Sequence, residues 1–187
     1  MSKEDWRANS LPALFPEFDF NVDSVLDVAC GLSLRSKYLP AKIRVGVDLF
    51  SEYFTAIEAD VPYVTVKYDV RKLEEIFPPK SFDIVIALDI VEHLEKEEAL
   101  AMIASCERLA RKAVVIETPN GFVPQDLDIL GFGAHDLQTH KCGWEVREFE
   151  ELGYRAFTRK YRMSGIQRHT YFETNPNIEL IDAIKIL

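Results

Sequence analysis

The chain has 187 residues, 48% hydrophobic and 28% charged, enough to bury a core and within the usual range of one domain, so a single domain over 1–187 is expected. A net charge of −9, from 22 basic and 31 acidic side chains, works against sequence-independent attraction to a phosphate backbone and points to a small-molecule partner rather than nucleic acid. Three cysteines (30, 106 and 142) lack CxxC spacing, which argues against a disulfide framework or zinc knuckle and suits a reducing, cytoplasmic setting. The opening MSKEDWRANS is polar, and no window approaches about 18 uninterrupted apolar residues, so neither secretion nor a membrane span is expected. The oligomeric state is left open.

In chain order, residues 1–21 form an N-terminal segment whose Trp6, Phe15, Phe18 and Phe20 are expected to pack against the domain. Apolar runs then alternate with amphipathic ones, the mark of βα units on a largely parallel sheet. Strands are expected at 23–29, 43–48, 63–68, 82–88 and 112–117. SFDIVIALD is a near-continuous Val/Ile/Leu run, as a strand covered on both faces requires, and is read as central. Short helices are expected at 51–58 and 71–76, and a longer one at 95–109 carrying Leu100, Ile103 and Cys106 at helical spacing.

Residues 120–143 hold four glycines, one proline and no sustained periodicity, which is long for a connector, and 118–142 reads as a lid loop. WEVREFEELG then reads as a short helix ended by Gly153. YRAFTRKYRM and RHTYFET follow as two alternating segments joined through Ser164 and Gly165, an expected antiparallel hairpin. Arg155, Arg159, Lys160, Arg162 and Arg168 in this stretch read as a solvated strand surface.

The chemistry concentrates in VLDVACGLSLRSKYLPAKIRVGVD. Asp27 ends an apolar strand beside a small-residue turn at Ala29, Cys30 and Gly31, and Asp48 closes the next strand. A carboxylate about 20 residues after such a turn is placed to accept ribose hydroxyls. A diphosphate needs GxGxxG for close backbone approach at a helix N-terminus. Only Gly31 is a glycine here, so a nicotinamide dinucleotide is disfavoured. Ala29 and Ser33 are small, yet neither takes up positive φ as readily as glycine.

This stretch resembles the first motif of class I S-adenosylmethionine-dependent methyltransferases, D/E-x-G-x-G-x-G, standing here as Asp27, Ala29, Gly31 and Ser33. Further positions match that family in order. Asp48 and Leu49 resemble the ribose-binding acid and its neighbour, Asp69 and Val70 the adenine-holding pair, and Leu88 and Asp89 the strand tip beside the methionine portion. VEHL, with Glu92 and His93, is similar to the VxEHL segment of a subgroup of these enzymes, the type 11/12-like methyltransferases. The resemblance implies a Rossmann-like α/β fold of seven strands, mostly parallel with one antiparallel strand, with helices on both faces. It also implies S-adenosylmethionine as cofactor and S-adenosylhomocysteine as product.

The function expected is methyl transfer to oxygen or nitrogen of a small-molecule acceptor. A base is needed where the acceptor must lose a proton. His93 and His140 are the catalytic candidates, with His135 a further imidazole nearby in sequence. No metal is assigned, although Asp89, Glu92, His93 and His140 resemble the divalent-metal set of Hen1-related small-RNA 2′-O-methyltransferases. The alternative readings are a catalytically silent module of the same fold, to which the two non-glycine positions would point, and a metal-dependent Hen1-like enzyme acting on RNA.

Overall fold

The computed structural model describes residues 10–33, 36, 39–57, 62–126, 128, 131–160 and 178–187. A short helix, α1 (Leu11–Leu14), leads into strands β1 (Val22–Val28), β2 (Ala41–Asp48), β3 (Tyr63–Lys67) and β4 (Phe82–Leu88). Helix α2 (Lys96–Leu109) connects β4 to β5 (Ala110–Pro119). Then come α3 (His135–Gln138), α4 (Val146–Glu151), β6 (Arg155–Lys160) and β7 (Glu179–Ile186). The seven strands lie in the order β3-β2-β1-β4-β5-β7-β6. Only β7 runs against its neighbours, pairing antiparallel with both β5 and β6. This is the expected sheet, with β4 at its centre and the first six residues of that strand fully covered.

One face packs on α2, α4 and the 3-10 helix Val70–Glu75, and its core runs through Leu26, Val85, Val114, Met102, Trp144 and Phe149. The other face is covered by the N-terminal segment, with Leu11, Phe15 and Phe20 buried against Val25, Ile84, Ile86 and Val115. The leader therefore supplies the second layer, as its aromatic residues lead one to expect; Trp6 lies outside the described residues. On α2 the buried stripe is Ala99, Met102, Ile103 and Cys106, whereas Leu100, read as a core residue, is exposed. The helix is rotated so that its small Ala99 faces the close-packed sheet.

The stretches read as helices at 51–58 and 71–76 form 3-10 helices at Ser51–Ala56 and Val70–Glu75. Six residues are too few to offset α-helix nucleation, and the tighter helix suits such short connectors. Helix α4 carries a Glu145/Glu148 capping box and is followed by Gly153 at φ 85°. The hairpin is different. Its first strand is β6, but RHTYFET falls outside the described residues, and the strand paired with β6 is Glu179–Ile186. That strand has a continuous buried stretch, Leu180–Ala183 and Ile184, because it is inserted between two others rather than lying at an edge. Among the described residues no helix is long and apolar enough to cross a membrane.

Ile86 is fully buried at the sheet centre. Ile86→Ala is expected to lower unfolding free energy by about 3 kcal/mol, within the range for such cavities. Urea denaturation followed by circular dichroism measures it.

Candidate active site

Parallel β1 lies between β2 and β4, and connections leave its two sides in opposite directions, so the strand order reverses at the β1/β4 pair. Carboxyl-end loops diverge at such a point and leave a crevice, which is where open α/β sheets take their ligands. The loop after β1 and the Leu88–Asp89 tip of β4 flank it, and Asp48 and Asp69 follow the ends of β2 and β3. All four acids named from sequence thus share one edge of the sheet.

The loop after β1 keeps a glycine-like path with a glycine only at Gly31. Ala29, Gly31 and Ser33 adopt φ of 55°, 48° and 53°, each in the left-handed region that costs a non-glycine residue about 1–2 kcal/mol. Hydrogen bonds hold it. Cys30 N donates to the Val47 carbonyl at 3.0 Å, and Gly31 N donates to Asp48 Oδ2 at 2.9 Å. The other Asp48 oxygen accepts from Phe50 N at 2.9 Å. Each carboxylate oxygen has a second lone pair, so Asp48 retains capacity for hydroxyl donors such as those of a ribose. Burial pushes its pKa up against these backbone bonds.

Asp27 lies deeper. Ser36 Oγ and Tyr63 Oη donate to its Oδ2, the latter at 2.9 Å, and Ser33 Oγ stands 3.2 Å from the same atom. Burial pushes its carboxyl up from 3.8 to about 6, opposed by the Ser36, Tyr63 and Ser33 hydroxyls and assisted by the Asp48 charge. Tyr63 and Ser36 belong to no motif legible in the sequence, and Ser33 is legible only as the last small position of the turn. The only hint is that Gly46, inside an otherwise apolar strand, leaves room for a close neighbour.

Asp69 caps the Val70–Glu75 helix by accepting from Arg71 N at 3.0 Å, and Arg71 also pairs with its carboxylate. Those Arg71 bonds hold its pKa below the usual carboxylate range. Val70 beside it is buried. A crevice lined by the carboxylates Asp27, Asp48 and Asp89 favours a cationic ligand and disfavours a diphosphate.

Beyond Asp89, itself at φ 55°, a second cluster forms. Glu92 and His93 sit in the 3-10 turn Val91–His93, and residues 118–142 fold back to bring His140 beside them. That return is fixed by backbone: Lys141 N donates to the Glu92 carbonyl at 2.7 Å, and His140 N to the Gln125 carbonyl at 2.9 Å. The two imidazole rings meet edge to face with centroids 4.7 Å apart. Ligand atoms of Glu92, His93 and His140 all lie within 4.8 Å of one another. Asp89 is outside that trio, although its charge acts on Glu92.

Each imidazole has its Nδ1 against a backbone carbonyl: His93 at 3.2 Å from Thr139 O and His140 at 2.6 Å from Val123 O. A carbonyl only accepts, so Nδ1 carries the proton in both rings and Nε2 presents a lone pair. Burial and the neighbouring His140 push His93 down to about 4, and burial lowers His140. Burial and Asp89 push Glu92 up, while Thr118 Oγ1 donates to its Oε2 at 2.9 Å. His135 lies in α3, and its side chain is outside what the structure describes.

Arg159, read as part of a solvated surface, is instead inserted between Glu117 and Asp182, pairing with Glu117 Oε2 and, at 2.6 Å, with Asp182 Oδ2. The antiparallel register sets these two carboxylates side by side on β5 and β7. Burial pushes Asp182 up to about 7, with Arg159 opposing and Glu117 adding to it. Arg155 is exposed and pairs with Glu17. Arg162 and Arg168 lie outside the described residues.

The raised Asp27 pKa has a thermodynamic consequence in the ligand-free protein. Its stabilising contribution is complete below 3.8 and is lost as pH rises through about 6. Wild type measured against Asp27→Asn should therefore lose relative unfolding free energy across that window. A pH-independent difference in denaturation midpoints would contradict this.

Residues 25–113 match the family model of a methyltransferase domain. Over 75 residues the chain is 36% identical to a ubiquinone biosynthesis O-methyltransferase of Bradyrhizobium diazoefficiens, covering 37% of this chain and 29% of the relative. The match thus spans under a third of that curated relative. A SAM-dependent methyltransferase structure from Archaeoglobus fulgidus superposes with a TM-score of 0.59 at 21% identity, covering 98% of this chain and 95% of that one. The methyltransferase domain of bacterial CtHen1-CN does so with a TM-score of 0.60 at 15% identity, covering 98% and 99%. Over residues 25–113 the chain thus matches a methyltransferase domain, and its sheet shares the fold of these solved methyltransferase structures.

Proposed function

We propose that this chain methylates a hydroxyl oxygen of a small molecule, and that Glu92, His93 and His140 form the acceptor side of the site and hold a divalent cation there. The observation that carries the reading is the trio itself. Two neutral imidazoles turn acceptor nitrogens toward a buried carboxylate, with His93 Nε2 4.0 Å from Glu92 Oε1. Three acceptors facing one another repel unless a proton or a cation stands between them, and a divalent cation is the occupant that all three donors can share. A histidine that donates its second nitrogen to a backbone carbonyl has the tautomer and orientation of a metal ligand. Mixed carboxylate and imidazole donors suit manganese, iron or magnesium.

S-adenosylmethionine, when bound, supplies an electrophilic methyl on a sulfonium sulfur with a good leaving group. Asp48 would hold the ribose hydroxyls and the Asp69–Val70 and Leu88–Asp89 tips would flank adenine and methionine. The chain's remaining task is to position the acceptor in line and keep water out, which can supply several kcal/mol. A cation at the trio would lower the pKa of an acceptor hydroxyl. The segment 118–142 would close over that side, since it delivers His140 and also reaches Tyr53 through Phe132, with ring centroids 5.4 Å apart. The net charge of −9 favours a small acceptor over RNA. The partial match to an O-methyltransferase supports oxygen as the acceptor atom.

Calorimetric titration of the purified protein with Mn²⁺ tests the proposal. Wild type should bind, and His140→Ala or Glu92→Gln should weaken binding by at least about tenfold. Methyl transfer from S-adenosylmethionine to a panel of hydroxylated small molecules should fall on chelation. If no Mn²⁺ binds and chelation leaves transfer intact, His93 and His140 act as proton acceptors and the metal reading fails.

A further inference from the structure

Tyr63 belongs to the edge strand β3, yet its hydroxyl reaches Asp27 two strands away, about 10 Å across the sheet. The side chain crosses β2 over Gly46. A methyl group at position 46 would stand 2.7 Å from both Tyr63 Cε1 and Tyr63 Oη, and 2.7 Å from Cys30 Sγ. No other residue fits beneath that phenol. At the far end, Ser33 Oγ lies 2.6 Å from Tyr63 Oη and Tyr63 Oη donates to Asp27 Oδ2, so the proton chain runs from loop to tyrosine to carboxylate.

The same face carries a second brace on this loop. Here Arg44, buried on the same face, donates from Nε to the Ser36 carbonyl at 3.3 Å, and Ser36 donates to Asp27. The loop that these groups grip is the one with Ala29 and Ser33 at φ of 55° and 53°. Nothing in their own side chains favours that conformation.

Resting on the reading of this crevice as the S-adenosylmethionine site, we propose that Tyr63 is a positioning residue for the cofactor. Through Ser33 and Asp27 it clamps the Ala29–Ser33 turn in the left-handed path that glycines would adopt unaided. The passage over Gly46 is the structural condition for that clamp.

Titration calorimetry with S-adenosylhomocysteine tests it, with thermal unfolding recorded in parallel. Tyr63→Phe removes one hydroxyl and should weaken binding by about tenfold, as loss of a hydrogen bond to a charged group does. Ala29→Gly, added to Tyr63→Phe, relieves backbone strain without touching the phenol and should restore most of the affinity. Binding by Tyr63→Phe equal to wild type overturns the clamp. So does a loss that Ala29→Gly leaves in place, since a general packing role would not be rescued by a glycine in the turn. Should Tyr63→Phe lack a cooperative transition, Ser33→Ala, which deletes the hydroxyl that Tyr63 grips, carries the same expectation and the same rescue. Failure of wild type itself to bind S-adenosylhomocysteine sinks the cofactor reading, and is a different result from any of these.

Discussion

The parallel pairing of β1 with β4 is the constraint on which the site depends. It places Leu26 beside Val85 and Val28 beside Ala87, so the loop after β1 and the Leu88–Asp89 tip emerge side by side at the one place where the strand order reverses. A one-residue slip in that register would exchange the side chains that face the two layers. It would also separate Asp27 from the acids that follow β2 and β4. Because both strands are buried on their two faces, the apolar packing that stabilises the sheet also fixes the geometry of the crevice.

The electrostatics of this crevice favour one sign of ligand. Burial makes Asp27 and Asp48 reluctant to ionise, and their mutual repulsion adds to the cost at Asp27. A cationic ligand relieves both effects. An anionic one would aggravate them. Hydroxyl groups from Ser33, Ser36 and Tyr63 keep the most buried acid supplied with donors, which is the usual condition for leaving a carboxyl in an apolar layer.

The second cluster has a different origin. Glu92 and His93 are local to one turn, but His140 arrives over a long loop whose path is set by backbone bonds to the Glu92 carbonyl and by Gln125. The trio is therefore a tertiary product, assembled from acceptor atoms that water no longer reaches freely. On the far side of Asp89, Arg159 sits between Glu117 and Asp182 and keeps two like charges in one layer of the sheet. Acids and imidazoles of opposite requirements thus share the carboxyl edge, each held by a partner on another strand.

Much of this was legible in the chain itself. Long apolar runs identify β1, β4 and β5, because strands covered on both faces carry an unbroken Val/Ile/Leu signal, and the ordered acids after β1 to β4 mark one edge of the sheet. The VEHL segment and His140 could be named as candidates from residue type. What the linear pattern does not carry is any contact made across strands. Tyr63 looked like an ordinary strand residue and Arg159 like part of a solvated surface, since which face each takes and what lies opposite are settled only by register. The strand Glu179–Ile186 that pairs with β6 is not among the strands expected from sequence, because a strand inserted between two others shows a continuous apolar run rather than the alternation by which a hairpin is recognised. Local propensity and periodicity determined the elements and the order of the acids. The tertiary structure alone decided which acceptors meet, because long-range pairing brings together residues that no sequence spacing relates.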